Sequence, residues 1–535
     1  MPKDMVFGAD ATKRILEGIS ATTDAAALTL GPKGRNVALD NKYATPTVTN
    51  DGVTVIQNIE LEDAYMQIGA RLVQEASSRT DEAFGDGTTT AAILTERIAK
   101  DGLRLVQAGA NPMLLKKGID DAVASIIATI EESAIPVEDN SDIYDIALVS
   151  SNGDKVIAQT ILDAIEKMGT RGLIEVQDLD HPGMNLDIVD GYRFDRGYIN
   201  EAFVRPGNTK IVLDNIAVLI CEKKLSSLQE FMEVAEVLAS NPQPLLVIAD
   251  SIEGDVLTTI ALNAARGIIQ VAPVKAPGFG ENRLAMLGDM AILTGTEVVG
   301  PGRGTSIKEM LQSTGLGMAQ QVIVDRDTTT IIGGSGIPEA ITERARIIRA
   351  VAVDKKTSRF DKERLLKRAS YLEDGVAVIQ VGGTTDTEQK ERRMRVDDAL
   401  GATRAATEGG ICPGGGVALI HAAKFHSSSL EFSSAPMHTD IRLGHELVMR
   451  ACLAPAETIA SNAGESGEYI ARLIQEQDDL RIGFNVNTMD MEDLMKAGVV
   501  DPAKVITSAL IYASSISSML LTVGCAIVEA PEEEE

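Results

Sequence analysis

Residues Glu82–Leu94 read EAFGDGTTTAAIL. Gly85 and Gly87 flank Asp86, three threonines follow, and an apolar run begins at once. Such a turn leads into a helix with its first N–H groups free. A glycine nest and a helix N-terminus bind phosphate oxygens through backbone N–H groups, with no cationic side chain required. The stretch holds no Lys or Arg, so Asp86 does not face an anion bare. A carboxylate here suits a hard divalent cation, which takes oxygen ligands and bridges to phosphate. The stretch therefore reads as a cradle for a metal-nucleotide. Taken singly, a Gly-rich turn is more often an ordinary loop.

Four further stretches share this character. TLGPKGRN (29–36) and CPGGGVAL (412–419) are glycine turns at helix ends, TNDGVTV (49–55) places Asp51 at a turn, and RVDDAL (395–400) places Asp397 and Asp398 on a helix. GGGV alone is weak, and the aspartate pair alone could be a solvated helix face. No GxxxxGK[ST] stretch occurs, so the P-loop is absent as a motif. GPGRGT (300–305) has no apolar helix after it and reads as a surface loop.

Composition narrows the classes. The chain has 535 residues, and a soft prior of roughly 150 residues per domain suggests three or four domains. Aromatics are only 3% and Trp is absent, so the apolar content is Ala, Val, Ile and Leu, suited to helix packing and parallel sheet. A formal charge of −28 argues against nucleic acid as a partner, because phosphate neutralisation needs clustered Lys and Arg. Cys221, Cys412, Cys452 and Cys525 are far apart with no CxxC pair, which fits a reduced intracellular chain. The start, MPKDMVFGADATKRILEGI, shows neither a secretory nor a transit pattern, and the expectation is cytoplasmic. VITSALIYASSISSMLLTVGCAIV (505–528) is charge-free and long enough to span a membrane. Its Ser and Thr content, and the acidic EAPEEEE after it, favour a buried core helix and no membrane.

The hydrophobic pattern is helical at 9–30 and 64–110, and β at 36–56 around a Thr-Pro turn. It is helical again over 111–170. From about 172 to 330 short Val/Ile strands alternate with amphipathic helices, which implies βα units. Residues 337–370 form a charged helical stretch, VAVIQVGG is a strand, and 385–480 is mostly helical. A helical start and end around an α/β middle means either three sequential domains or two ends that fold together around an insertion. In the middle, Leu225, Leu228, Phe231, Met232 and Ala235 recur at helical spacing, as do Val256, Leu257, Ile260, Ala261 and Leu262. On pattern alone such stripes are core.

TLGPKGRNV, DGTTTA, FDRGYI (194–199), VKAPGFG (274–280), VDDALGATRAA (396–406) and PGGGVAL occur together and in this order. In that set the chain resembles the GroEL-type (group I) chaperonins over nearly its full length. The resemblance implies a multidomain α plus α/β chaperonin fold. An equatorial ATP-binding domain would take about 1–134 and 409–535, an intermediate domain 135–190 and 376–408, and an apical α/β insertion 191–375, with hinges near Gly191 and Gly375. Carried over to this sequence, Thr29, Leu30, Gly31, Pro32, Asn50, Gly87, Thr88, Thr89, Thr90, Gly415, Asn485, Val486, Asn487 and Asp501 would surround ATP. Asp86 would hold Mg²⁺, with K⁺ as a further cation. Asp398 would activate the attacking water, assisted by Asp51. Tyr198, Phe203, Met232, Ala235, Leu257, Ala261 and Leu262 would line a groove for unfolded or partly folded polypeptides. The implied assembly is a homo-oligomeric ring, heptameric, single or double, with a small lid co-chaperonin as a further partner.

The sequence departs from that family at several places. Asn50 stands where a Lys is usual, which removes a cation near the phosphates. Ala202, Ala235 and Ala261 are smaller than usual, and each lost methylene forfeits up to ~0.8 kcal/mol of burial. Ala456-Glu457 and Ser466 occupy positions that commonly supply a basic–acidic pair between rings, and EAPEEEE replaces a Gly-Gly-Met repeat. These departures mark a divergent member and leave single and double rings open. Two other readings are an ATP-independent holdase with an impaired ATPase, and a metabolic ATP-dependent transferase.

Overall fold

The computed structural model describes the chain except residues 1–2, 41–45, 170–173, 180, 190, 205–208, 303, 354–361, 363–364, 366–367, 370, 373–374, 433–437 and 530–535. The turn at 41–45, Arg303 of the GPGRGT loop and the acidic tail from 530 lie outside the described residues. Two compact units result. One comprises Met1–Thr170, Val176–Asn185 and Gln380–Glu535; the other comprises Arg171–Glu175 and Leu186–Ile379. The ends of the chain therefore fold into the same unit.

The first unit is helical. Gly8–Ala27, Ala64–Phe84, Thr88–Gln107, Pro112–Ser133, Val417–Phe432, Thr439–Ala451 and Ala503–Leu520 contribute to one core of Ala, Ile, Leu and Val. With so few aromatics, closeness replaces bulk. A Cβ added at Gly18 would collide with the carbonyl of Met66, and one at Gly69 with that of Ile15, so two helix backbones touch where they cross. The apolar helix Ala503–Leu520 buries thirteen of its residues in this unit, as expected for a core helix. Lys3–Phe7 pairs antiparallel with Cys525–Glu529, in register Lys3 to Glu529.

The continuous helical reading of 64–110 is interrupted at the opening motif. Ala64–Phe84 ends on Gly85 (φ 68°), and Thr88–Gln107 starts after Gly87 (φ 81°). The β reading of 36–56 holds for Val37–Leu39 and Thr47–Thr49, which pair. It fails at Gly52–Gln57, which is a helix. The Asp51 carboxylate accepts the N–H groups of Val53 and Thr54, and this cap overrides the β preference of Val-Thr-Val-Ile.

The second unit is built on a six-stranded mixed sheet ordered Gly191–Phe194, Thr329–Gly334, Gly317–Val324, Ile211–Ile220, Leu245–Ala249, Val271–Lys275. The last three strands are parallel, and Leu245–Ala249 is buried at every position. Alternation sorts their side chains. Val218, Ile220, Leu246, Ile248 and Val274 join one apolar cluster with Leu287, Met290 and Ile341. Ala217, Leu219, Leu245 and Val247 join another with Phe231, Val234, Val256 and Ile260. Helices thus cover both faces of these strands, which is why they read as unbroken apolar runs.

Candidate functional site

The Gly85–Gly87 turn is the centre of the site in the first unit. The helix Thr88–Gln107 has no side-chain cap at its start, which leaves N–H groups of Thr88–Thr90 for an anion. Thr88 and Thr89 are buried and Thr90 is half-buried. A Cβ at Gly52 would collide with Thr89 Oγ1 and lie 3.6 Å from Thr29 Oγ1, so three motifs distant in sequence meet at one point. Beneath the turn, a Cβ at Gly87 would come within 2.6 Å of Val505 Cγ1. Only a residue without a side chain fits at Gly52 and Gly87.

Thr29 is buried and donates to the carbonyl of Ala26 at 2.8 Å. Leu30 and Gly31 are half-buried, and Pro32 is exposed. Asn462 donates to the carbonyls of Ala27 and Leu30, both at 2.9 Å, and so fixes the turn from the other end of the chain. Asn50 is half-buried, between the Thr49 strand and the Asp51 cap.

Asp86 accepts from its neighbour Gly87 N and, at 2.9 Å, from Ser150 Oγ. Burial pushes its carboxyl up; those two bonds oppose this, and the Asp51 charge adds to it. The helix Asp386–Gly409 lies directly over the turn. A Cβ at Gly401 would collide with the carbonyl of Phe84, and Thr54 Oγ1 is 3.3 Å from Met394 Sδ. Asp398 on this helix is raised well above the usual carboxylate range, first by burial and then by Asp86, Asp51, Asp81 and Asp397. Asp81 is raised to about 6 by burial and by the same group of charges. Asp51 differs: its oxygens are taken by Val53 N, Thr54 N and Thr54 Oγ1 as the helix cap.

Gly415 (φ 65°) and Gly416 (φ 79°) turn the chain into Val417–Phe432. Asp501 is pushed up to about 7 by burial and by Asp86, opposed by a bond from the Gly415 N–H. Asp86 and Asp501, though 415 residues apart, therefore sense one another. Asn485 and Val486 are buried and Asn487 is exposed. The Asn485 amide is turned inward: it donates to Glu492 Oε1 at 2.8 Å and accepts from Asn487 N at 2.9 Å. It shapes the Ile482–Asn485 and Asp490–Asp493 hairpin instead of pointing a free amide outward.

Sequence reasoning missed Asp81, Ser150 and Asn462. Asp81 is five residues before Asp86 at the end of a helix, and a helix-end carboxylate carries no signal. Ser150 and Asn462 are recognisable only once distant segments meet.

Backbone donors, a cradle that a Cβ would fill and a buried carboxylate fit a polyphosphate held with a divalent cation. Among the described residues no three His, Cys, Asp or Glu side chains gather to hold a metal ion by themselves. A hard cation with a single protein carboxylate completes its shell with phosphate and water oxygens.

In the second unit the two apolar stripes divide. Phe231, Val234, Leu238, Val256 and Ile260 face the core, whereas Leu228, Met232 (47% exposed) and Leu262 (53% exposed) face outward. Ala235, Leu257 and Ala261 are half-buried between them. Tyr198 and Phe203 are half-buried, packed on the core beside the helices Leu228–Ser240 and Asp255–Ala265. The core reading of these helices is thus right for one face and wrong for the other. Val237 and Ile268 extend the exposed apolar set.

In the first unit Glu457 has a partner within its own chain. It lies 3.4 Å from Arg97 of its own chain, and burial pushes its carboxyl up against that attraction.

A sequence model of the TCP-1/cpn60 chaperonin family matches residues 23–531. Among solved structures the fold is similar to that of the chaperonin gp146 from the bacteriophage EL 2 (Pseudomonas aeruginosa), crystallised in the presence of ATP-BeFx. The two are 22% identical, the match covers 98% of this chain and 99% of that one, and the TM-score is 0.67. The architecture is the chaperonin fold, helical and α/β parts together.

Proposed function

We propose that this chain, which belongs to the TCP-1/cpn60 chaperonin family, is an ATP-dependent chaperone whose first unit hydrolyses Mg-ATP and whose second unit captures non-native polypeptide. The observation that carries this reading is the convergence of Thr29, Gly52, Asp86, Thr89 and Asp398 around an uncapped helix start. The first N–H groups of Thr88–Gln107 and the glycine turns bind the phosphates. Asp86, oriented by Ser150, is the metal-holding carboxylate. Mg²⁺, when bound, neutralises phosphate charge, and K⁺ is a second candidate cation. Positive charge beside Asp86 lowers the Asp398 carboxyl, which then accepts a proton from the attacking water while its helix closes the site. Asp51 keeps the Gly52 turn in shape and adds negative charge near Asp398. Gly415 and Asp501 bound the nucleoside side.

Outward Leu228, Met232 and Leu262 give unfolded chains, which also expose apolar surface, a place to bury it. The working form is a homo-oligomeric ring. Seven chains of 56.8 kDa give about 398 kDa and fourteen about 795 kDa. With Glu457 held by Arg97, the single ring is the favoured form. Phosphate release at saturating Mg-ATP, together with suppression of aggregation of an unfolded protein, tests the reading. Aggregation suppression with no phosphate release would make the chain a holdase.

A further inference from the structure

Two buried histidines of the first unit meet where three helices pack. His426 on Val417–Phe432 has its Nε2 2.9 Å from Nδ1 of His445 on Thr439–Ala451, and its Nδ1 2.8 Å from Ser125 Oγ on Pro112–Ser133. The ring centroids are 5.1 Å apart. With a nitrogen–nitrogen bond of that length, such a separation requires the rings to lie end to end, not face on face. His426 is 5% exposed and His445 3%.

Both rings are neutral in this arrangement, and two proton orders satisfy it. Either Ser125 donates to His426 and His426 to His445, or His445 donates to His426 and His426 to Ser125. In both orders His445 Nε2 is buried and, among the described residues, has no partner. Among the described residues, Asp121, one turn before Ser125, is the charged group that acts on His445, and His445 is the one that acts on His426. The helix Thr88–Gln107 meets Thr439–Ala451 through Gly102 against Leu447.

We propose that the Ser125–His426–His445 chain is an acid-sensitive latch. It holds Val417–Phe432 and Thr439–Ala451 on Pro112–Ser133 while at least one ring is neutral, and lets them part when both rings are protonated. The first added proton leaves one facing nitrogen to accept; with both rings protonated the bond between them becomes a clash of two donors, and among the described residues His445 Nε2–H has no acceptor to reward it. Burial lowers both imidazoles; the other ring adds to this for His426, and Asp121 opposes it for His445. The opened state, with its rings in water, takes up protons near the ordinary value of 6.5, before the closed state does. The closed form is therefore fully favoured above that pH and loses ground as pH falls below it. The opening equilibrium grows by up to about tenfold per pH unit for each proton taken up. Val417–Phe432 begins at the Gly415–Gly416 turn, so the loosened helix is also a wall of the candidate nucleotide site.

The test is hydrogen exchange of the full-length assembled protein from pH 7.5 to 5.0, corrected for the intrinsic pH dependence of exchange. The latch requires that protection at 417–432 and 439–451 fall by up to about tenfold per pH unit below pH 6.5 while 503–520 holds. It also requires that the fall shrink in His445→Phe or His426→Asn, whichever assembles. Protection independent of pH overturns the proposal. So does a fall that persists unchanged in either variant, or one that is abolished instead by His421→Phe, His421 being the other buried histidine of Val417–Phe432.

Discussion

The candidate nucleotide site and the apolar face of the second unit are built on opposite principles. In the first, the backbone makes the site. Glycines at Gly52 and Gly87 let chains approach, a helix start supplies N–H groups, and side chains enter as single carboxylates. In the second, the backbone is an ordinary sheet with covering helices, and the side chains on the outward half of two helices make the surface. A site made of backbone tolerates almost no change at its glycines, whereas a surface made of side chains is tuned one methylene at a time.

That contrast can be broken in order of expected effect. Asp398→Ala should keep nucleotide affinity, measured by equilibrium titration, and lose about 10²–10⁴-fold of phosphate release in single turnover. Turnover at the parent level would remove Asp398 from the chemistry. Gly52→Ala adds only a methyl group, yet it should weaken nucleotide binding by about tenfold or more, because overpacking costs about 1–3 kcal/mol. If the Thr89 side chain simply rotates away, affinity will stay put and the site is softer than argued. Met232→Glu combined with Leu262→Glu should weaken capture of an unfolded protein by about tenfold or more, since each apolar side chain stands to bury about 1.5–3 kcal/mol. Thermal stability of that variant should remain within about 0.5 kcal/mol of the parent, as both positions are exposed.

The smallest effect concerns charge. Asp81 is raised to about 6 in the folded chain, above its ordinary 3.8, so the folded state holds the proton longer than the unfolded one. Its contribution to stability is present below pH 3.8, is lost as pH rises to about 6, and leaves a net cost at neutral pH. Asp81→Asn should therefore raise stability by about 1 kcal/mol at pH 7.5, after allowance for solvent screening, and by nothing near pH 4. Calorimetry at the two pH values decides it.

The same contrast explains what could be read in advance. The glycine turns were legible because positive φ and close approach leave residue-type signatures, and the six motifs in order carried the family. The α/β middle was legible because strands buried on both faces must be apolar throughout, as at Leu245–Ala249. Gly52–Gln57 was misread because its residues favour strand and only the Asp51 cap turns them into helix. The outward half of the 228–240 and 255–265 helices could not be read from periodicity, since Met232 and Phe231 are both apolar and exposure is decided by what packs above them. Ser150 on Asp86, and Asn462 on the 27–30 turn, were illegible for a related reason: each is a long-range bond from an unremarkable position.

The pairing of Lys3–Phe7 with Cys525–Glu529 sets a schedule for synthesis. A ribosome makes the second unit as a nearly unbroken run, so that unit has its sheet complete while more than a hundred residues remain unmade. The first unit's opening helices can pack on one another, but part of their apolar surface stays uncovered until Val417–Phe432, Thr439–Ala451 and Ala503–Leu520 emerge, and the first strand waits for Cys525–Glu529. A chain of this fold thus spends most of its own synthesis with an incompletely buried helical surface, the kind of surface that aggregation-prone folding intermediates expose.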